Sequence, residues 1–298
     1  MLKYLCFFFL SFSLSAAAEK QSVYKVAIID RFFPVSLSFD NEEDKAEKGW
    51  MYGLLDLDND DHKEPIYHGD LVRLIAAHPG ITFISYPILD GWNPMKAIRS
   101  NLQIILDRYP KQTLDALILS WESSTLISAF EKPLRLERAD YYKSVVETMG
   151  RQYPVWQTTY DIILLLQQLS AKGVRVYTIA GNGGRNMVNT FSFAKGVTTV
   201  GAAEPELSHF VANNPFVDVY AQAAWQPVRV NNAKGKAIGY DLNGDKCVDI
   251  PLSKLTGLGK EGELPNRPWP MLKGSSFAAP AALRKALFKG LALTECHQ

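Results

Sequence analysis

Apolar residues along the chain fall into two alternating kinds of run. Residues 24–29, Tyr-Lys-Val-Ala-Ile-Ile, form a short β-branched stretch that stops at Asp30, as a strand buried on both faces does. From His68 the period becomes helical, with Leu71, Val72, Ile75 and Ala76 on one face. Residues 81–89 read as a strand, 94–109 as a helix through Met95, Ile98, Leu102, Ile105 and Leu106, and 116–119 as a strand again. Residues 131–156 are polar and aromatic without a clear period. Residues 162–169 predict a strongly apolar helix closed by Gly173, and 174–180 a buried strand. Strands at 197–202 and 217–221 continue the series, and 231–269 reads as one or more long loops. The last element is a helix with Ala278, Ala279, Ala282, Leu283, Ala286 and Leu287 on one face and Pro280 in its first turn. This alternation predicts an α/β fold of three layers, a mostly parallel sheet flanked by helices, with functional groups gathered at the carboxyl ends of the strands.

The first residues add an export signal to this picture. Lys3 precedes an apolar run over residues 5–14, and Ala16, Ala17 and Ala18 supply small residues for cleavage, so residues 1–18 are set apart from the fold. No later segment has the roughly 18 to 20 uncharged apolar residues of a membrane span, so no stable membrane insertion is expected after cleavage, and the mature protein is expected to be secreted or periplasmic. Residues 19–298 fit one domain. A formal charge of +1 with mixed signs along the chain gives no basic patch for nucleic acid. Cys247 and Cys296 lie beyond the signal, and an oxidising compartment allows them to pair, although two free thiols are equally consistent with the sequence.

Three positions combine a reactive side chain with a place where this topology exposes it. Asp30 ends the first strand, His68 opens a helix, and Ser276 stands at the entry to the last helix. A serine hydroxyl attacks a carbonyl only when an imidazole accepts its proton, and a carboxylate orients that imidazole and stabilises its charged form. Taken singly, each is as well read as a turn, cap or helix-start residue. A fourth place is Ala180-Gly181-Asn182-Gly183-Gly184 after a buried strand, where Asn182 offers an amide donor to an oxyanion. By itself it reads equally as an Asn-Gly turn.

Together these segments resemble the subtilisin-like (subtilase) family of serine proteases, over about residues 26–287. Residues 26–30 look like its aspartate block, His68-Gly69 with Val72 like its histidine block, and residues 274–280, Gly-Ser-Ser-Phe-Ala-Ala-Pro, like its Gly-Thr-Ser-x-Ala-x-Pro serine block. The resemblance implies a serine endopeptidase that acts on protein or peptide substrates through an acyl-enzyme. Ser276 is then the nucleophile in preference to Ser275, with His68 as base, Asp30 as its orienting partner and Asn182 as oxyanion donor, and no cofactor is required for catalysis. Ser120, Trp121 and Gly181 fall where the family borders its substrate. About a dozen residues separate the cleavage site from Asp30, where secreted members carry a folded inhibitory segment, so no pro-domain is recognisable. Arg31 and Phe32 replace a small hydroxyl residue and glycine, Asp70 and Leu71 replace Thr-His, and Glu122 replaces the glycine of a Ser-Leu-Gly strand. With these departures, a catalytically weak or inactive subtilase-like protein that binds another protein is the alternative. Trp121 and Glu122 narrow the pocket, or favour a basic residue, or are simply a buried tryptophan beside a solvated glutamate.

Two acidic runs invite a metal reading. Asp241, Asn243, Asp245 and Asp249 place oxygens around Gly244 in a way that suits structural calcium, but glycine stands fourth instead of sixth and Leu252 replaces the bidentate glutamate. Asp56, Asp58, Asp60 and Asp61 form the second run. A solvated loop is the simpler reading of both.

Overall fold

The computed structural model describes residues 23–32, 66–89, 93–252 and 271–289. Strands β1 (Tyr24–Asp30), β2 (Ile81–Pro87), β3 (Ala116–Leu119), β5 (Arg175–Ile179), β7 (Val197–Ala202) and β8 (Val219–Ala221) form a six-stranded sheet ordered β2-β1-β3-β5-β7-β8. Each neighbouring pair is parallel. The short strands β4 (Ser124–Leu126) and β6 (Met187–Asn189) pair antiparallel to each other outside it.

Successive residues of β1 and β3 enter different cores, which is why these two strands read as apolar runs. Val26, Ile28, Ala116, Ile118, Tyr177 and Ile179 pack on one face with Val72, Ala76, Ala278, Ala279 and Leu283. Those partners belong to helices α1 (His68–Ala76) and α5 (Ser275–Leu287). Ala27, Ile29, Leu117, Leu119 and Val176 face the opposite side. There they meet α2 (Pro94–Arg108), α3 (Ala139–Gly150) and α4 (Pro154–Ala171) through Ile98, Leu102, Tyr142, Val146, Ile162 and Leu166. The three-layer α/β arrangement expected from the sequence is therefore present.

Three local expectations are corrected. Residues 131–156, without a period in the sequence, contain α3 and the start of α4, because α3 buries only Tyr142 and Val146 and so shows too few apolar positions to register. Residues 231–252, expected as loop, contribute to a three-stranded antiparallel sheet of β10 (Val228–Asn231), β11 (Ala237–Asp241) and β12 (Ile250–Pro251). Pro280 is the sixth residue of α5, inside the helix and not in its first turn. The helix tolerates it because the carbonyl that Pro280 leaves without an amide donor finds another, identified below. Gly173 does follow α4 with φ +91°. Residues 1–18, Cys296 and the acidic run at Asp56, Asp58, Asp60 and Asp61 lie outside the described residues. Among those described, no helix is long and apolar enough to cross a membrane.

Leu117 is fully buried in central β3. Leu117→Ala is expected to lower the unfolding free energy by about 2–5 kcal/mol. Urea titration should show a lower midpoint with unchanged slope.

Candidate active site

After β1 the chain pairs first with β2 on one side and then with β3 on the other, so a crevice opens beyond the carboxyl ends of β1 and β3. A cavity of about 370 Å³ occupies this place. Asp30, His68, Ser120, Trp121, Asn182 and Ser276 all line it. The structure thus brings together six of the seven residues singled out for catalysis and substrate contact. Gly181 is buried behind Asn182 with φ +102°, and a side chain there would collide with the Glu122 carboxylate.

Asp30 has no solvent exposure, and both of its oxygens are engaged. Oδ1 accepts the Arg31 amide at 2.7 Å, and Oδ2 lies 2.8 Å from His68 Nδ1. With the Nδ1 proton donated to Asp30, Nε2 is the nitrogen that carries the lone pair. His68 can come this close because Gly69 follows it: the Gly69 amide donates to the Arg31 carbonyl at 2.7 Å, and a Cβ there would stand 2.5 Å from that oxygen. Asp70 receives the Tyr67 amide at 3.0 Å and places a negative charge in the first turn of α1. The Arg31 side chain lies over the Trp121 ring at 5.7 Å from its centroid. Burial by itself lowers the His68 pKa, but the charge and hydrogen bond of Asp30 more than reverse this against the opposing charge of Arg31, leaving it above the ordinary 6.5.

Asn182 is oriented from behind. Its Oδ1 accepts the Ser275 amide at 2.9 Å and the Ser275 hydroxyl at 3.0 Å, which turns Nδ2 away as a donor. Ser275 Oγ in turn accepts the Gly181 amide at 3.2 Å. Ser275 thereby joins the helix that carries Ser276 to the loop that carries Asn182, a role hidden in the sequence by its place beside the nucleophile candidate. Gly274 precedes this helix with φ +151°, a backbone conformation that residues with a side chain rarely adopt.

Ser120 meets the same helix. In a regular helix the Ser276 carbonyl accepts from the residue four positions on, and that residue is Pro280, which has no amide proton. Ser120 Oγ donates to it instead, at 2.9 Å in a buried site. Asn189, fully buried, completes the frame: its Nδ2 donates to the carbonyls of Ile179 at 2.8 Å and Trp121 at 3.3 Å, and its Oδ1 accepts the amides of Ser123 at 3.1 Å and Phe191 at 3.3 Å. Sequence reasoning passes over Asn189, since one polar residue in the run Val-Asn-Thr-Phe carries no signal. Glu122 is no solvated glutamate. It is partly buried and takes the Asn182 amide at 2.8 Å and the Ser124 hydroxyl at 2.6 Å on Oε2.

The acidic loop beyond β11 gathers Asp241, Asp245 and Asp249, with one oxygen from each within 4.8 Å of the others. This all-oxygen set fits a hard cation such as calcium, with Asn243 on the same loop. The carboxylates also meet partners from the chain itself. Asp241 takes the amides of Gly244 and Lys246, Asp249 takes those of Leu242 and Asn243, and the Asn243 side chain donates to Asp249 and Leu74. The Arg284 guanidinium stands near all three, and burial pushes the Asp249 carboxyl up to about 6. Cys247 on this loop is disulfide-bonded.

No protein-family model matches the chain, and no curated protein matches it. Solved structures do. The epidermin leader peptide processing serine protease EpiP from Staphylococcus aureus is 13% identical, with a TM-score of 0.47 over 89% of this chain and 64% of that one. The MycP3 protease from the type VII (ESX-3) secretion system is 13% identical, with a TM-score of 0.44 over 92% of this chain and 74% of that one. The prenylagaramide maturation protease PagA is 14% identical, with a TM-score of 0.43 over 87% and 72%. At such identities the likeness is one of fold.

Ser120→Ala is expected to cost about 1–3 kcal/mol by leaving the Ser276 carbonyl buried without a donor. In a Pro280→Ala background, where an amide proton is restored, the same change should cost distinctly less. A double-mutant cycle in urea measures the coupling, and strictly additive costs would reject the pairing.

Proposed function

We propose that this chain is a serine endopeptidase that hydrolyses peptide bonds through an acyl-enzyme. The Asp30–His68 pair, with the carboxylate buried and 2.8 Å from a partly exposed imidazole in the cavity that Ser276 also lines, carries this reading. Ser276 Oγ attacks the peptide carbonyl carbon while His68 Nε2 takes the hydroxyl proton. His68 then hands that proton to the leaving amine as the C–N bond breaks. A water molecule, deprotonated by the same nitrogen, releases the acid and restores Ser276. Asp30 keeps the imidazole in the required tautomer and balances its charge when protonated. The developing oxyanion is met by Asn182 Nδ2 and by the Ser276 amide in the first turn of α5, where helix amides lack internal acceptors. Each such donor contributes about 2.7–4 kcal/mol to the transition state. Substrates are peptides or proteins, no cofactor takes part in the steps, and the signal-like sequence of residues 1–18 supports a location outside the cytoplasm.

A fluorophosphonate probe should label the folded protein stoichiometrically and fail to label Ser276→Ala or His68→Ala. Absence of labelling in the folded wild type would reject the endopeptidase and favour a binding protein.

Hydrolysis requires neutral His68, whose pKa lies above 6.5. The acid limb of kcat/KM should therefore have its midpoint above 6.5, and in Asp30→Asn it should move downward along with a large loss of rate. Stability follows the opposite sign. Because the folded-state pKa is raised, the pair's contribution is complete below 6.5 and is lost as pH climbs through the folded value. Thermal melts across this range should show that decline in wild type and lose it in His68→Gln.

A further inference from the structure

With Ser276 as nucleophile and Asn182 as oxyanion donor, the side chain on the carbon behind the attacked carbonyl has to be received in the cavity that both residues line. Glu122 lines this cavity. Its carboxylate is fixed before any ligand arrives, with Oε2 receiving the Asn182 amide at 2.8 Å and the Ser124 hydroxyl at 2.6 Å. Both bonds fall on Oε2, and Oε1 keeps its capacity to accept. Gly181 makes room for the carboxylate, since a Cβ on that residue would overlap it. The other charges lining the cavity are placed differently: Asp30 faces His68, and Arg31 lies over Trp121. The Asn182 end is therefore anionic, partly shielded from water and equipped with an oriented acceptor, which suits a cationic side chain.

Resting on the endopeptidase reading, we propose that Glu122 makes the enzyme selective for arginine or lysine as the residue whose carbonyl is attacked. The same contact to the Asn182 amide couples this recognition to the loop that stabilises the oxyanion. Glu122 is thus a specificity residue, and the proton transfers are left to His68.

The test compares peptide p-nitroanilides that end in arginine or in citrulline, its neutral analogue of the same shape. Wild type should favour arginine about tenfold to a hundredfold in kcat/KM. E122Q, which keeps an oxygen for Asn182 and Ser124, should bring the ratio close to one. Independently of turnover, calorimetry on Ser276→Ala should show tighter binding of a peptide acid ending in arginine than of its citrulline counterpart, with the difference lost when E122Q is added. Equal handling of the two peptides by wild type and by Ser276→Ala would overturn the proposal. So would an E122Q variant that weakens both peptides alike and leaves the ratio intact, since that is the signature of loop positioning alone. Failure of the endopeptidase reading is seen separately, as no probe labelling and no cleavage of either peptide, while the calorimetric comparison still decides the role of Glu122.

Discussion

Asp30 places a carboxylate at the end of β1 with no access to water, and such a group is compatible with a folded chain only when its oxygens have partners. One partner is local, the Arg31 amide. The other, His68, must arrive from a different element, which obliges the N-terminus of α1 to approach the strand end closely enough that its second residue has no side chain. The approach of His68, the glycine behind it and the acidic residue that caps the turn are consequences of the same buried charge.

The Ser276 side of the cavity is tied to this centre through backbone groups. A proline inside α5 frees the carbonyl of Ser276, and the strand-end hydroxyl of Ser120 takes it up. Ser275 links the start of that helix to the Asn182 loop in the same way. Three segments far apart in sequence are thus locked to one another by groups that take no part in proton transfer. The fixed geometry belongs to the scaffold, and the side chains that line the cavity inherit it.

What could be read from the sequence follows the same division. Strands β1, β3, β5 and β7 stand out because burial on both faces leaves an unbroken apolar run, and α1 and α2 because one apolar face repeats at helical spacing. The reactive residues are visible since they stand at strand ends and helix starts. α3 was not visible, because it buries two side chains in twelve residues and leaves its pattern polar. The sheet formed by β10, β11 and β12 hides behind glycine, asparagine and aspartate, which read as loop. Ser275 and Asn189 act through hydrogen bonds to partners dozens of positions away, and no local period records such bonds. Pro280 was visible as a residue, but its interior place in α5 depends on a donor supplied 160 residues earlier, by Ser120.

Three of the four hydrogen bonds of Asn189 reach the last residue of β5, Ile179, and the segment that follows β3, at Trp121 and Ser123, and Ile179 and Trp121 both line the cavity. One buried amide thus ties the register of these two chain ends at the place where they meet the cavity, beyond the ladder bonds that β3 and β5 already share.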